Sequence, residues 1–200
     1  MKPLQLYYPL HPWASTQTFG VNGEYYRAHG INIKGHNGVD AIRGGQETYG
    51  GNVRAAHDGI VTYAGVDGSE GWGVVLRTKE QFLDTEGRAQ VWKSIYWHLL
   101  PDIPVRVGQE VKLGDVIGHA DNTGFSTGSH LHFGLKPIAQ GENEWAWYNL
   151  EQDNGYMGAV DPTPYFTGIT AYDMTTKFRD ISNILKAIFD LVFSFKGRSN

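Results

Sequence analysis

The stretch Thr127-Gly128-Ser129-His130-Leu131-His132-Phe133-Gly134 sets two imidazoles in alternation with two apolar side chains. That is the period of a β-strand, in which side chains at i and i+2 emerge on one face. His130 and His132 are therefore expected to share one space, while Leu131 and Phe133 enter a core. Two imidazoles fixed side by side suit a metal site, or a metal ligand beside a proton-transfer residue. In isolation the same pattern would more often be two surface histidines.

It is not isolated. Upstream, His36-Asn37-Gly38-Val39-Asp40 places an imidazole and a carboxylate four residues apart. The flanking glycines argue against a helix, so these two are expected on a loop running into a strand that starts near Val39. His98 closes the run Ser94-Ile95-Tyr96-Trp97-His98-Leu99, at the end of a strand where it can overlook a groove. A catalytic zinc ion typically takes three protein N/O ligands and leaves a fourth position to water. His36, Asp40 and His132 could supply two nitrogens and a carboxylate, with His98 and His130 free to move protons. His11, His29, His57 and His119 sit in irregular or turn-rich contexts and are expected to stand outside the chemistry.

The elements that must position these groups are mostly strands. The 26 glycines and 13% aromatics, with many short Val/Ile/Tyr runs, predict β-rich structure with tight turns. Residues 1–35 read as an irregular leading segment. Val53 to Gly65 reads as a hairpin turning at Asp58-Gly59. The strand Gly73 to Thr78 is expected to pair with Val91 to His98. Two glycine-marked turns occupy Val105 to Gly118, and a polar, glycine-rich loop from Asn122 to Gly128 leads into the His130 strand. Seven or eight short strands are expected, with no helix before residue 170. The fold class is mainly β: an antiparallel, open or sandwich-like sheet domain with a groove, followed by a C-terminal amphipathic α-helix.

The quoted residues resemble the lysostaphin/LytM-type zinc endopeptidases, which cut the peptide cross-links of bacterial peptidoglycan. That family's pattern is His-X3-Asp, a later Tyr-X-His-Leu-like strand and a final His-X-His. Here these are His36 to Asp40, Tyr96-Trp97-His98-Leu99 and His130-Leu131-His132. The framework is also similar: Phe19-Gly20, Ala56-His57-Asp58-Gly59-Ile60-Val61, Gly108-Gln109-Glu110-Val111, Gly124 to Gly128 and Val160-Asp161-Pro162. The likeness runs over about residues 19–166. It implies one Zn2+ per chain on His36, Asp40 and His132, with His98 and His130 activating water and steadying the tetrahedral intermediate. It implies a hydrolase acting at the bacterial cell wall on peptidoglycan peptide stems or cross-bridges. Tyr96, Trp145 and Trp147 are expected to contact substrate.

Other readings are weaker. Some relatives resembling this family have lost ligands and serve as activators of cell-wall amidases, yet all five polar positions are present here. The segment Val105 to Gly118 also resembles lipoyl- and biotin-carrier hairpins, but no lysine occupies an exposed tip between small residues. A net charge of -4 and a pI near 6.0 supply no basic stripe for nucleic acid. With no cysteine there is no disulfide framework. The first residues do not read as a signal peptide, and no run reaches the roughly 18 apolar residues of a membrane span.

The chain divides into a peptidase domain at 1–170 and a helix with its tail at 171–200. An aromatic and acidic insertion at about 136–159 forms either a groove wall or a small satellite core. From about Thr175 to Phe195, Phe178, Ile181, Ile184, Leu185, Ile188, Phe189, Val192 and Phe195 form an amphipathic stripe. Three fates are open to it: packing on the protein's own sheet, contact with a partner or second copy, or docking on a membrane surface.

Overall fold

The computed structural model describes residues 1–138 and 154–196, with side chains only as far as Asp190 in the last helix. The elements in order are β1 (Leu6–Tyr8), β2 (Trp13–Gln17), α1 (Gly23–Ala28), β3 (Val39–Arg43), β4 (Asn52–Arg54), β5 (Gly59–Asp67) and β6 (Gly71–Arg77). They continue as β7 (Phe82–Leu83), β8 (Ala89–Leu99), β9 (Glu110–Val111), β10 (Val116–His119), β11 (Leu131–Ile138), β12 (Phe166–Thr170) and α2 (Ala171–Lys196). The chain is mainly β, as its composition and alternation predict, although the strands are more numerous than expected.

The main sheet runs β2-β3-β11-β8-β6-β5-β9, antiparallel throughout, with β7 on the flank of β8. Its register explains the positions of the polar residues. His132 lies opposite Asp40 on one side and Trp97 on the other. One face of β11 buries Leu131, Phe133 and Leu135 completely, beside Ala41, Val74, Leu76 and Tyr96. Two small sheets, β1 with β12 and β4 with β10, cover that face and complete the core through Leu6, Val53, Ile117 and Phe166. Burying a side chain such as Phe133 contributes about 1.5–3 kcal/mol. The opposite face carries the even-numbered residues of β11, His132 among them.

The predicted pairing of Gly73–Thr78 with Val91–His98 is present as β6 and β8. The expected hairpin across Asp58-Gly59 is not. β4 pairs with β10, whereas β5 pairs with β6 and β9. The Asp58 carboxylate explains the difference. It accepts the Leu113 N–H at 2.8 Å and the Lys112 ammonium at 3.0 Å, so it anchors the turn before β10 instead of closing its own hairpin. The leading segment is also more regular than expected: β2 pairs with β3, and α1 forms one short helix.

The C-terminal helix begins slightly earlier than predicted. The Thr170 hydroxyl accepts the Asp173 N–H at 3.1 Å, an N-terminal cap, and bonds the Asp173 carboxylate at 2.6 Å. Beyond this first turn the helix leaves the body. Phe178, Ile181, Ile184, Leu185, Ile188 and Phe189 are each more than half exposed. Packing of the stripe on the protein's own sheet is thus overturned: the sheet's buried face is already filled by the two small sheets.

Candidate metal centre and cleft

Three side chains converge on one point. His36 arrives from the loop before β3, Asp40 from β3 itself, and His132 from β11. His36 Nε2 lies 2.9 Å from His132 Nδ1, and Asp40 Oδ1 lies 3.1 Å from each of them. A closed set of three such contacts does not work as hydrogen bonding alone. Two neutral imidazole nitrogens and a carboxylate oxygen cannot each satisfy the other two, because the oxygen only accepts. Tetrahedral zinc ligands with bonds near 2.0–2.1 Å stand roughly 3.3 Å apart, so the donor set fits such an ion.

The surroundings orient these ligands. His36 Nδ1 faces the Thr18 carbonyl at 3.2 Å, where only an N–H can serve; this leaves the Nε2 lone pair for the cluster. His132 is packed by Gly38, where a Cβ would come within 2.7 Å of the imidazole. Burial alone would raise the Asp40 carboxyl, but hydrogen bonds and charge from His132 and His36 outweigh it and hold the group well below the usual carboxylate range. Burial pushes the His132 imidazole down, against the opposing pull of Asp40. Both groups are thus in the ionisation state that a metal requires.

His98 and His130 stand beside this cluster, with ring centroids 4.6 Å apart. Each donates Nδ1–H to a backbone carbonyl at 2.7 Å, His98 to Thr123 and His130 to Gly128. Each therefore presents Nε2 to the cleft, and His130 Nε2 lies 3.6 Å from Asp40 Oδ2. Burial, then the neighbouring His132 and His130, push the His98 imidazole down to about 3, so it is neutral across the ordinary pH range.

His98 reaches this face by a local irregularity. Strict alternation from Tyr96 would send it into the core. Instead the register between β6 and β8 shifts there: Tyr96 pairs with Val74 and Leu99 with Trp72, so Trp97 and His98 together oppose Gly73. His98 takes the left-handed backbone conformation, with φ 63°. Such a bulge re-aims one side chain. Gly73 permits it, since a Cβ there would lie 1.9 Å from the Trp97 ring.

The cleft around these groups encloses about 420 Å³. Its walls include residues the sequence reading did not single out: Tyr25 and Tyr26 from α1, Glu70 from the β5–β6 turn, Phe125 from the glycine-rich loop and Met157 from the segment after the insertion. Phe125 lies within the family-like stretch Gly124 to Gly128, which says nothing of a wall; the others carry no motif, because they arrive on a short helix or on loops placed by distant contacts. Asn154 is one such anchor: its Oδ1 accepts the N–H groups of Tyr156 and Gly158, and its carbonyl accepts the Lys34 ammonium at 2.9 Å. The Tyr156 ring packs tilted against Phe19, with centroids 4.6 Å apart.

Tyr96 is not a cleft residue. It is fully buried on the core face, its ring 5.3 Å from Phe133, and its hydroxyl accepts the Ala56 N–H at 2.9 Å and lies 3.1 Å from Ser94 Oγ. The expectation that it touches substrate is corrected accordingly; alternation puts it on the opposite face from His132. Trp145 and Trp147 lie outside the described residues. Of the remaining histidines, His57 is buried with Nε2 2.8 Å from Ser94 Oγ, His11 packs under Tyr172, His29 packs against Tyr25, and His119 faces Asp102 at 3.6 Å.

The sequence profile of peptidase family M23 matches residues 34–144, a span that contains all five polar residues. The chain belongs to peptidase family M23. Among curated M23 relatives, the glycyl-glycine endopeptidase ALE-1 of Staphylococcus capitis is 36% identical over 104 residues, which is 52% of this chain and 25% of that protein. The DD-carboxypeptidase/endopeptidase Mpg of Neisseria meningitidis is 33% identical over 110 residues, 54% of this chain and 22% of that protein. The chain thus matches about a quarter or less of the length of these relatives. Among solved structures, a zinc-containing peptidase from Vibrio cholerae aligns with a TM-score of 0.51 at 26% identity, covering 68% of this chain and 39% of that one. Lysostaphin from Staphylococcus simulans shares the fold, with a TM-score of 0.51 at 23% identity over 79% of this chain and 52% of that one.

Proposed function

We propose that this M23 chain is a zinc-dependent endopeptidase that hydrolyses peptide bonds in the cross-links of bacterial peptidoglycan. The observation that carries this reading is the convergence of His36, Asp40 and His132 within 3.1 Å of one another, beside a second imidazole pair in the same cleft. The curated relatives named as endopeptidases support the reaction class.

In this reading His36, Asp40 and His132 hold one Zn2+, which when bound supplies Lewis acidity toward a carbonyl oxygen and acidifies water. The protein's own side chains do the rest. His98 and His130, with Nε2 directed into the cleft, divide two tasks: one accepts the proton of the attacking water and the other hydrogen-bonds the oxyanion of the tetrahedral intermediate. The Thr123 and Gly128 carbonyls fix both rings with Nε2 toward the cleft: the neutral ring accepts a proton there, and the ring that bonds the oxyanion does so as the imidazolium, after Nε2 has taken up a proton. Residues 1–170 form the catalytic domain and 171–200 an appendage. Trp145 and Trp147 keep the role of a groove wall in this proposal. The exposed stripe on α2 is where contact with a second copy, another protein or a membrane surface belongs.

The test is hydrolysis of purified peptidoglycans with different cross-links, with fragments identified by mass spectrometry. Zinc-loaded protein should release peptide fragments, and chelated protein should not. Bound zinc without any cleavage would instead favour a silent binding module.

A further inference from the structure

Glu70 is the acidic residue in the cleft that the mechanism does not use. It sits in the tight turn between β5 and β6, half-buried, facing both the main cleft and a small side pocket bordered by Asn37, Trp97, Met157 and the buried Lys136. The turn is rigid. Asp67 Oδ1 accepts the N–H groups of Ser69 and Glu70 at 2.9 and 3.1 Å, and the Ser69 carbonyl accepts the Phe125 N–H at 2.7 Å. Yet the Glu70 carboxylate itself has no hydrogen bond or ion pair among the described residues. Holding a carboxylate in a concave, partly dry site without a partner is unfavourable. Burial, then the negative charges of Asp67 and Asp40, push its pKa up to about 7 despite the opposing effect of His36.

The composition of the cleft says what would relieve this. Among the described residues lining it there are two carboxylates, Asp40 and Glu70, and no lysine or arginine. Asp40 is already committed to His36 and His132. Tyr25 and Phe125, 6.1 Å apart, add aromatic faces that also favour cations. With the metal ligands gathered at His36, Asp40 and His132 and Lys136 bordering only the side pocket, the unpaired Glu70 carboxylate beside these aromatic rings offers a local site for a positive group.

We propose that Glu70 is a specificity residue of this cleft, pairing with a primary ammonium group that the peptide substrate carries near the scissile bond. The inference rests on the peptidase reading above and narrows its substrate class to amine-bearing peptides. The ammonium can come from a chain N-terminus or from an amine side chain, and the chemistry recognised is the same.

Three matched peptides test it: one with a free N-terminal amine, one acetylated at the N-terminus but carrying an amine side chain, and one with both amines acetylated. Zinc-loaded wild-type protein should favour at least one amine-bearing peptide over the fully acetylated one by roughly 10-fold or more in kcat/KM. Glu70→Gln should reduce that ratio to about one, chiefly by raising KM. The preferred peptide identifies the source of the amine. Equal kcat/KM for all three peptides with wild-type protein overturns the proposal, whatever the variant does. So does a ratio that persists in Glu70→Gln. A fall in kcat of equal size on every peptide overturns it in favour of Glu70 acting in proton transfer. Should no peptide be cleaved, the peptidase reading fails, and calorimetric binding of the same three peptides still decides whether Glu70 selects an amine.

Discussion

Asp40 and His132 are directly paired residues of adjacent strands, with Oδ1 and Nδ1 3.1 Å apart. Backbone ladder bonds therefore fix two of the three candidate ligands, and only His36 depends on a loop. Sites built on strands hold their geometry better than sites built on loops. His132→Ala should leave a weak two-ligand site, with zinc and hydrolysis both lost. His98→Ala and His130→Ala should keep the metal while losing roughly 100-fold or more in rate. Metal content and rate measured on the same samples check the division; zinc lost from His130→Ala would reverse it.

Gly73→Ala tests the bulge. A Cβ at that position would meet the Trp97 ring at 1.9 Å, so Trp97 must move and His98 with it. We expect a stability loss of about 1–3 kcal/mol, typical of overpacking, and a kcat that falls further than the zinc content. Denaturant melts and metal analysis separate these effects, and an unchanged kcat would remove the bulge from the mechanism.

The metal-free protein should weaken in mild acid. Burial lowers the pKa values of His57 and His132, and that of His98 to about 3. Their stabilising contribution is fully present above the unfolded value near 6.5 and is lost as pH falls below it, because the unfolded chain takes up protons first. For His98 the expected loss is roughly 1.4 kcal/mol per pH unit between those two values, with His57 and His132 acting in the same direction. Asp40, held low, contributes stability above its unfolded value of about 3.9 and loses it only at lower pH. Thermal melts of chelated protein from pH 7 to 4 should show a steady fall in Tm.

Tyr96→Phe should separate core from cleft. It removes the hydroxyl that accepts the Ala56 N–H, at a cost of about 1–3 kcal/mol for the unpaired donor. Cleavage rate on a short peptide should remain within about twofold at a temperature where the variant is folded. A rate loss without a stability loss would return Tyr96 to the substrate.

Truncation after Lys177 keeps the Asp173 cap and removes the exposed stripe from Phe178 onward. The rate constant on a soluble peptide should be unchanged, while light scattering shows weaker self-association or surface adhesion. A folded, zinc-loaded but inactive truncation would tie the helix to the cleft.

Much of the site was legible in the sequence because its geometry is periodic. The i, i+2 spacing of His130 and His132 and the apolar Leu131 and Phe133 state one face and one core without any tertiary information. His36 and Asp40 were legible through the glycines that forbid a helix. Tyr96 and His98 show the limit. They share a parity and both are expected at the groove, but the bulge between them puts them on opposite faces. Asp58-Gly59 shows another: a favourable turn dipeptide was captured by Leu113 and Lys112, 55 and 54 residues away. Glu70 and Met157 carry no local signal, since their loops are aimed by contacts remote in sequence.

The aim of His98 is thus set by a tally of residues and not by their identity. β8 runs one residue longer than β6 between the Tyr96–Val74 and Leu99–Trp72 pairs. Adding a single residue to β6 opposite Trp97 and His98 would restore even counting and turn the imidazole inward. All five polar residues would still be present in order, and any comparison by motif would score the chain as intact. In this architecture loss of catalysis can arise by a one-codon insertion in β6 that no inspection of the five polar residues would reveal, and an active copy can be told from a silenced one by the length of a strand.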